Sequence, residues 1–253
     1  MKQTTDTEYI DMYTINEENF WIAIEHISRY AFATWFCKKR RLGSVLDIAC
    51  SNGYGTNMMA GSAKTIVGAD IDDELIAYAK QHAIENTQFI KVDINHDELQ
   101  NRFNPPVFDL IVCFETLEHI DNPEKMLADL KAMLHANGRI LLSIPNSDYE
   151  PVDDAGNLKN KFHKHIFPPQ IIDVLFNMAG FEIEQILGQS IINNLMRKHN
   201  TYCSRNKDMV GKTISNFKID EDAIQYYVNM FGYPEKDDLD GSYAKIFILK
   251  HKK

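Results

Sequence analysis

The chain has 253 residues, 44% of them hydrophobic, and a formal net charge of −9. That length and apolar fraction suit one sizeable core rather than two independent domains, and the acidic balance argues against a protein whose main partner is a nucleic-acid backbone. No apolar run approaches the ~20 residues that span a bilayer, the start MKQTTDTEYI lacks signal-peptide features, and Cys37, Cys50, Cys113 and Cys203 have neither metal nor redox spacing, so a cytoplasmic location with reduced thiols is expected.

In chain order, residues 17–36 carry Phe20, Ile24, Ile27, Ala31 and Trp35 at helical spacing, which predicts an amphipathic helix ahead of the first core strand. Val45–Leu46–Asp47–Ile48 is an apolar run of the kind buried in a parallel sheet, and it leads into a small-residue turn that opens a helix. A second strand, TIVGADID (65–72), follows one helical crossover, and a helix through Leu75, Ile76 and Ala79 comes next. Pro123 sits in the first turn of another helix, with Met126, Leu127, Leu130, Met133 and Leu134 as its apolar residues and Asn137–Gly138 as its stop. Strand Ile140–Ile144, a helix near Gln170–Met178 ending at Gly180, strand Phe181–Leu187 and strand Tyr243–Leu249 complete an α/β pattern without internal repeats.

The stretch VLDIACSNGYG (45–55) is the most informative. Gly53 and Gly55 allow close backbone approach to a ligand. Strand, glycine turn, helix, strand and acid together describe a nucleoside-cofactor site at the carboxyl edge of the sheet. A dinucleotide would need G-x-G-x-x-G to seat its pyrophosphate on the helix N-terminus, whereas Cys50 and Ser51 occupy this turn. A nucleoside without phosphates suits it better, and S-adenosylmethionine is the obvious one. Its methionine end needs backbone N–H groups and its ribose diol needs an acid. Asp70 lies 17 residues beyond Gly53, near the ~20 expected of a ribose-binding carboxylate. Helix N-capping ahead of Glu74 is the alternative for Asp70 and Asp72; Asp70, at the strand tip, is favoured for the ribose.

In order and spacing, VLDIACSNGYG, VGADID, FIKVDI, FDLIVCFETLEHI and GRILLSIPN, within residues 43–146, resemble the motifs of class I S-adenosylmethionine-dependent methyltransferases. The resemblance implies a Rossmann-like α/β fold, a seven-stranded mostly parallel sheet with helices on both faces. The expected layout is a single domain over 1–253, with an N-terminal helical lid (1–42), a core (43–188 and 242–253) and an acceptor-side insertion (189–241). It also implies S-adenosyl-L-methionine as cofactor. Its expected contacts are Asp47, Ala49, Cys50 and Gly53 of the first motif, then Asp70 and Ile71. Asp93 would face the adenine amino group, Ile94 its ring, and Phe114–Glu115 would pass under the methionine moiety. Ala49 and Ser51 stand where the family commonly has glycine, and both are small enough to keep the turn feasible.

Chemistry is expected after the fourth strand, in FETLEHIDNP (114–123). A helical turn over Glu115–His119 would set Glu115 on one face with Glu118 and His119. An alcohol acceptor must lose its proton during methyl transfer, and His119 is a reasonable base because imidazole titrates near neutrality. His163 and His165, in KFHKHIF, are alternatives, and His26 could reach in from the first helix. Orientation, capping or packing roles are the competing explanation for each. The E-x-x-E-H spacing with a later histidine also resembles that of divalent-metal-dependent O-methyltransferases, which implies Glu115, Glu118, His119 and His165 as an alternative metal set.

EHISRYAFA (25–33) ahead of the first motif, with NKFHKHIF (160–167) downstream, resembles bacterial methyltransferases associated with surface polysaccharide synthesis. That likeness implies O-methylation of a sugar-like acceptor, with Arg29 approaching the cofactor's carboxylate or, alternatively, making a surface ion pair. Basic clusters at Lys159–Lys164 and Arg197–Arg205 could meet a phosphate or carboxylate on the acceptor. The long segment between Gly188 and Ser242, where a hairpin would normally suffice, has a polar half (Asn193–Lys212) and an expected helix near Asp220–Met230. An acceptor cap and a dimerisation or stabilising appendage are both open for it, so an oligomer is too. Competing functions are a quinone-precursor or other small-molecule methyltransferase, an RNA-terminal ribose methyltransferase, and a cofactor-binding protein without turnover.

Overall fold

The computed structural model describes residues 12–17, 19–103, 108–190, 219–236 and 239–253. Cys203, the Arg197–Arg205 cluster and the polar half Asn193–Lys212 lie outside the described residues. Helix α1 (Phe20–Arg40) leads into β1 (Ser44–Ile48), α2 (Tyr54–Met58), β2 (Thr65–Asp70), α3 (Asp73–Gln81), β3 (Thr87–Lys91), α4 (Leu99–Phe103) and β4 (Phe108–Phe114). A 3₁₀ turn (Leu117–His119) then precedes α5 (Pro123–Met133), β5 (Leu134–Pro145), α6 (Pro169–Met178) and β6 (Phe181–Gln189). Helix α7 (Glu221–Tyr227), a π-helical turn (Val228–Gly232) and β7 (Ala244–His251) follow.

The seven strands form one sheet in the order β3-β2-β1-β4-β5-β7-β6. Strands β1 to β5 run parallel, while β7 inserts antiparallel between β5 and β6. The chain builds outward from β1 to β3, then returns to add β4 on the other side. The resulting switch point opens a crevice at the carboxyl ends of β1 and β4, where open α/β sheets bind ligands. Two apolar layers hold the sheet. Leu46, Ile111, Leu127, Leu142 and Phe176 belong to one, and Phe36, Val45, Leu110, Leu141 and Ile248 to the other.

Helix α1 runs four residues past its expected end. Its inner face carries Ala33, Phe36 and Cys37, while Trp35, expected in the apolar stripe, is 46% exposed under the Lys39 ammonium. The helical phase explains this: positions 33, 36 and 37 share a face that 35 leaves. Helix α5 stops at Met133, and Asn137–Gly138, the expected stop, lie inside β5. There β5 must pair with β4, and the register shift between Phe108 and Leu110 absorbs the extra residues.

Gly55 is indispensable for packing. A Cβ there would run into the ring of Tyr30, a buried α1 side chain. Gly55→Ala should cost about 1–3 kcal/mol through overpacking, read as a lower urea midpoint. An unchanged midpoint would mean that α1 is not seated against α2 in this way.

Candidate active site

The turn after β1 alternates left-handed residues: Ala49 (φ 60°), Ser51 (φ 54°) and Gly53 (φ 80°). Two of these carry a side chain in that region at an energetic cost, and strain of this kind concentrates at ligand sites. At Gly53 a Cβ would lie 2.6 Å from the Phe89 ring, so the position excludes other residues on space as well as φ. The Ser51 N–H donates to Asp70 Oδ2 (2.7 Å) and the Asp72 N–H to Asp70 Oδ1 (3.0 Å). Asp70 therefore ties the turn to the tip of β2, and each oxygen retains a second lone pair. Asp72 takes the capping role, accepting from Glu74 N and Leu75 N.

Two cavities open at this edge. One, of about 530 Å³, is lined by Ala49, Ser51, Asp70, Ile71, Asp93 and Ile94, and by Glu115, His119 and the loop residues Lys161, Phe162 and Lys164. The other, of about 160 Å³, is lined by His26, Tyr30, Cys50, Tyr54, Phe114, Glu115, Glu118, His119, Asn160, His163 and Tyr243 among others. Ala49, Ser51, Glu115 and His119 face both, so the cavities adjoin at the tips of β1 and β4.

Three expected cofactor residues do not line either cavity. Asp47 is fully buried, accepting from the Tyr30 hydroxyl (3.0 Å) and the Thr56 hydroxyl (2.6 Å). Burial pushes its carboxyl up to about 7 against the pull of those two bonds. Its role here is to fasten α1 and α2 beneath the turn. Gly53 lies behind the turn against Phe89. Arg29, expected near the cofactor's carboxylate or in a surface pair, is 1% exposed, with its Nη1 donating to Gln189 Oε1 at 2.8 Å. Its Nε and Nη2 have no hydrogen-bond partner among the described residues. Burial opposes its charge, yet nearby Glu115, Tyr243 and Glu25 keep its pKa above the ordinary arginine value.

Glu115 does not sit on a helical face with Glu118 and His119. It has φ 45° and precedes the 3₁₀ turn, with its N–H and carboxylate both bonded to the Ser143 hydroxyl, at 3.0 and 2.6 Å. Ser143 of β5 is thus a site residue that sequence reasoning missed. Glu118 is 1% exposed and neither carboxylate oxygen has a hydrogen-bond partner among the described residues. Burial, with Glu115 adding to it, pushes its carboxyl well above the usual range. The His119 Nδ1 sits 2.9 Å from the Phe162 carbonyl, which assigns the proton to Nδ1 and the lone pair to Nε2 in the neutral ring. That Nε2 is 3.9 Å from Glu118 Oε1.

His163 stands beside His119, ring centroids 4.9 Å apart, with its Nδ1 2.7 Å from Glu150 Oε1. His165 turns away: its Nε2 bonds to the Ile120 carbonyl at 2.8 Å. It lines neither cavity. The loop is held against the 3₁₀ turn by the Lys164 and His165 N–H groups, which both donate to the Glu118 carbonyl. The metal-capable group is therefore Glu118, His119 and His163, with one ligand atom from each within 4.8 Å of the others, rather than the set with Glu115 and His165. His26 of α1 also lines the smaller cavity, and Glu25 precedes it in the chain. Burial pushes the Glu25 carboxyl up to about 7 against the pull of Arg29, with Glu115 adding to the rise. Burial and the neighbouring Arg29 charge together hold the His26 imidazole well below its ordinary value.

Residues 22–186 match the methyltransferase-domain family. The chain belongs to that family, the class I S-adenosylmethionine-dependent methyltransferases. S-adenosylmethionine is accordingly its cofactor. A protein of Mycolicibacterium smegmatis, named a probable S-adenosylmethionine-dependent methyltransferase, is 29% identical over 174 residues, 68% of this chain and 63% of that protein. The ubiquinone biosynthesis O-methyltransferase of Haemophilus ducreyi is 34% identical over 110 residues, 40% of this chain and 45% of the enzyme. The chain thus spans less than two thirds of the length of either relative. Among solved structures, an S-adenosylmethionine-dependent methyltransferase from Clostridium acetobutylicum superposes with a TM-score of 0.59 at 14% identity, covering 93% of this chain and 96% of that one. At such identity the likeness is one of fold. No helix among the described residues is long and apolar enough to cross a membrane.

Proposed function

We propose that the protein is a cytoplasmic S-adenosylmethionine-dependent O-methyltransferase acting on a hydroxyl of a small polar, sugar-like acceptor. The observation that carries this is the group Glu115, Glu118, His119 and His163 in the smaller cavity, of which Glu115 and His119 also face the larger one. In this reading the larger cavity takes the adenosine. Asp70 accepts from the ribose diol, and Asp93 and Ile94 meet the adenine. Phe114–Glu115 underlies the methionine portion. Arg29 lines neither cavity but is within electrostatic reach of the lining residues Glu115, Tyr243 and Tyr54; with two guanidinium nitrogens lacking hydrogen-bond partners among the described residues, it answers the carboxylate. Ala49 and Cys50 supply the turn beside it. When bound, the cofactor supplies an electrophilic methyl group on a sulfonium.

The acceptor hydroxyl then lies in the smaller cavity. His119 Nε2 takes its proton as the oxygen–methyl bond forms and the sulfur–methyl bond breaks, its electron pair remaining on sulfur. Glu118, whose burial favours the neutral acid, can donate to an acceptor oxygen; His163 provides a second imidazole in the same cavity. The lining is mixed, and its polar groups Glu115, Glu118, His119, Asn160 and His163 support a polyol-like acceptor over a purely apolar one. Incubation with labelled cofactor, nucleotide-activated sugars, polysaccharide fragments, quinone precursors and RNA ends, followed by mass spectrometry, tests the assignment. Labelled sugar is expected. Label on a quinone precursor alone would replace the sugar with the acceptor class that the Haemophilus ducreyi relative's name indicates. Cofactor binding with no transfer to any acceptor would favour a non-catalytic protein.

The cluster of Glu118, His119 and His163 supports a second reading, in which a divalent cation lowers the pKa of the acceptor hydroxyl. Both imidazoles have Nδ1 beside an oxygen acceptor, as metal-ligating histidines commonly do. A cation would also keep the buried Glu118 ionised. Chelator should then abolish transfer and added Mg²⁺ or Mn²⁺ restore it; indifference to chelator leaves the imidazole base alone.

Asp70→Ala should weaken cofactor binding by about 1.5–3 kcal/mol, the size of a charge-assisted hydrogen bond. Calorimetry on the folded variant measures it, and unchanged affinity would remove Asp70 from the ribose site.

A further inference from the structure

Gln189 is the last residue of β6 and is fully buried, although glutamine is rarely so. All of its polar capacity is directed. Nε2 donates to the carbonyls of Glu25 (2.7 Å) and Gly232 (2.8 Å), and Oε1 accepts from Arg29 Nη1 (2.8 Å). Two carbonyl acceptors at Nε2 forbid the flipped amide, because Oε1 in that place would face two oxygens. The amide therefore has one orientation, and that orientation fixes one edge of the Arg29 guanidinium.

The carbonyls belong to different elements. Glu25 is one turn before Arg29 on α1, and Gly232 ends the π-helical turn after α7. That turn is pressed onto α1: a Cβ on Gly232 would meet Ser28 Oγ and lie 3.0 Å from Ile24 Cγ2. Gln189 is thus the point where β6, α1 and the segment after α7 meet. With Nη1 committed to Gln189, Arg29 keeps Nε and Nη2 as buried donors without partners among the described residues. A buried guanidinium normally has such donors satisfied, so a ligand anion is the natural occupant.

We propose that Gln189 is a positioning residue for carboxylate recognition: it holds Arg29 so that Nε and Nη2 receive the carboxylate of the cofactor's methionine end. This rests on the proposed role of Arg29. It also gives the segment after α7 a place in cofactor selection through the Gly232 carbonyl, although that segment lies far from the cofactor motifs in sequence.

The test compares two ligands in wild type, Gln189→Met and Arg29→Met. S-adenosylhomocysteine carries the amino-acid carboxylate; 5′-methylthioadenosine has the same adenosine and sulfur but lacks it. Calorimetry should show Gln189→Met losing roughly tenfold in affinity for S-adenosylhomocysteine, with 5′-methylthioadenosine binding unchanged. The second ligand also reports whether the site is intact. If Gln189→Met binds neither ligand, Gln189→Glu supplies the same comparison, since it retains an acceptor for Arg29 while opposing the two carbonyls. Equal losses for both ligands in a variant that still binds them, loss of both ligands in Gln189→Met and Gln189→Glu alike, or no loss for either ligand, would overturn the positioning role. Selective loss in Arg29→Met without it in the Gln189 variants refutes this inference alone. No selective loss in Arg29→Met refutes the carboxylate assignment beneath it.

Discussion

His119→Ala is expected to lower turnover by roughly 10²–10⁴-fold while cofactor affinity stays within about twofold of wild type. The size follows from what the ring would do. Its Nδ1 is anchored on the Phe162 carbonyl, which leaves Nε2 of this cavity-lining ring as the atom proposed to take the proton. Removing it deletes a group needed when the acceptor oxygen becomes nucleophilic and leaves the adenosine contacts in place. His119→Gln keeps a polar side chain without an efficient base and should stay within about tenfold of the alanine variant. Single-turnover rates with labelled cofactor, beside cofactor titrations, separate the two quantities. Near-normal rates in His119→Ala, Glu115→Ala and Glu118→Ala together would move the chemistry to the segment spanning 189–241.

What the sequence revealed and what it hid divide along local and non-local lines. The β1 turn, the acids at the tips of β2 and β3, the helix start at Asn122–Pro123 and the separated final strands are local patterns, and each was legible. The left-handed Glu115 was not, because nothing in FETLEHI marks it; Ser143, 28 residues later, accounts for its placement through two bonds to one hydroxyl. KFHKHIF could not say which histidine joins the cluster. Glu150 orients His163, and the Ile120 carbonyl engages His165, both from outside the motif. Asp47 was expected at the ligand, yet its carboxylate is taken by hydroxyls from α1 and α2, contacts that exist only after the sheet is built. Gln189 gave no sequence signal at all. Its three partners come from positions 25, 29 and 232.

The buried Asp47 also predicts how stability changes with pH in the ligand-free protein. Its carboxyl rises from 3.8 to about 7 on folding, with burial as the leading cause. The native state therefore holds this proton more tightly than the unfolded chain does. The associated stabilisation is complete below pH ~4 and is lost as pH rises through ~7. A rise of that size corresponds to on the order of 4 kcal/mol between those limits. Glu25, raised to about 7, acts in the same direction. Asp109 and Glu184 act oppositely: hydrogen bonds from His135 and Arg139 help hold their carboxyls below the usual range, so their contribution is lost as pH falls through those lowered values. His26, which burial and Arg29 hold well below its ordinary value, also acts oppositely, its contribution being lost as pH falls below ~6.5. The Asp47 contribution is therefore read as the difference between wild type and a variant that cannot ionise there. Asp47→Asn retains an acceptor for the Tyr30 hydroxyl and presents an amide to the Thr56 oxygen, but has no proton to lose. Urea unfolding at pH 5 and pH 8 should show the change on going to pH 8 to be less favourable for wild type than for Asp47→Asn by about 3 kcal/mol. Equal slopes for both proteins would show that Asp47 is ionised in the folded state at neutral pH, and the hydroxyls of Tyr30 and Thr56 would then be holding a buried charge rather than a neutral acid.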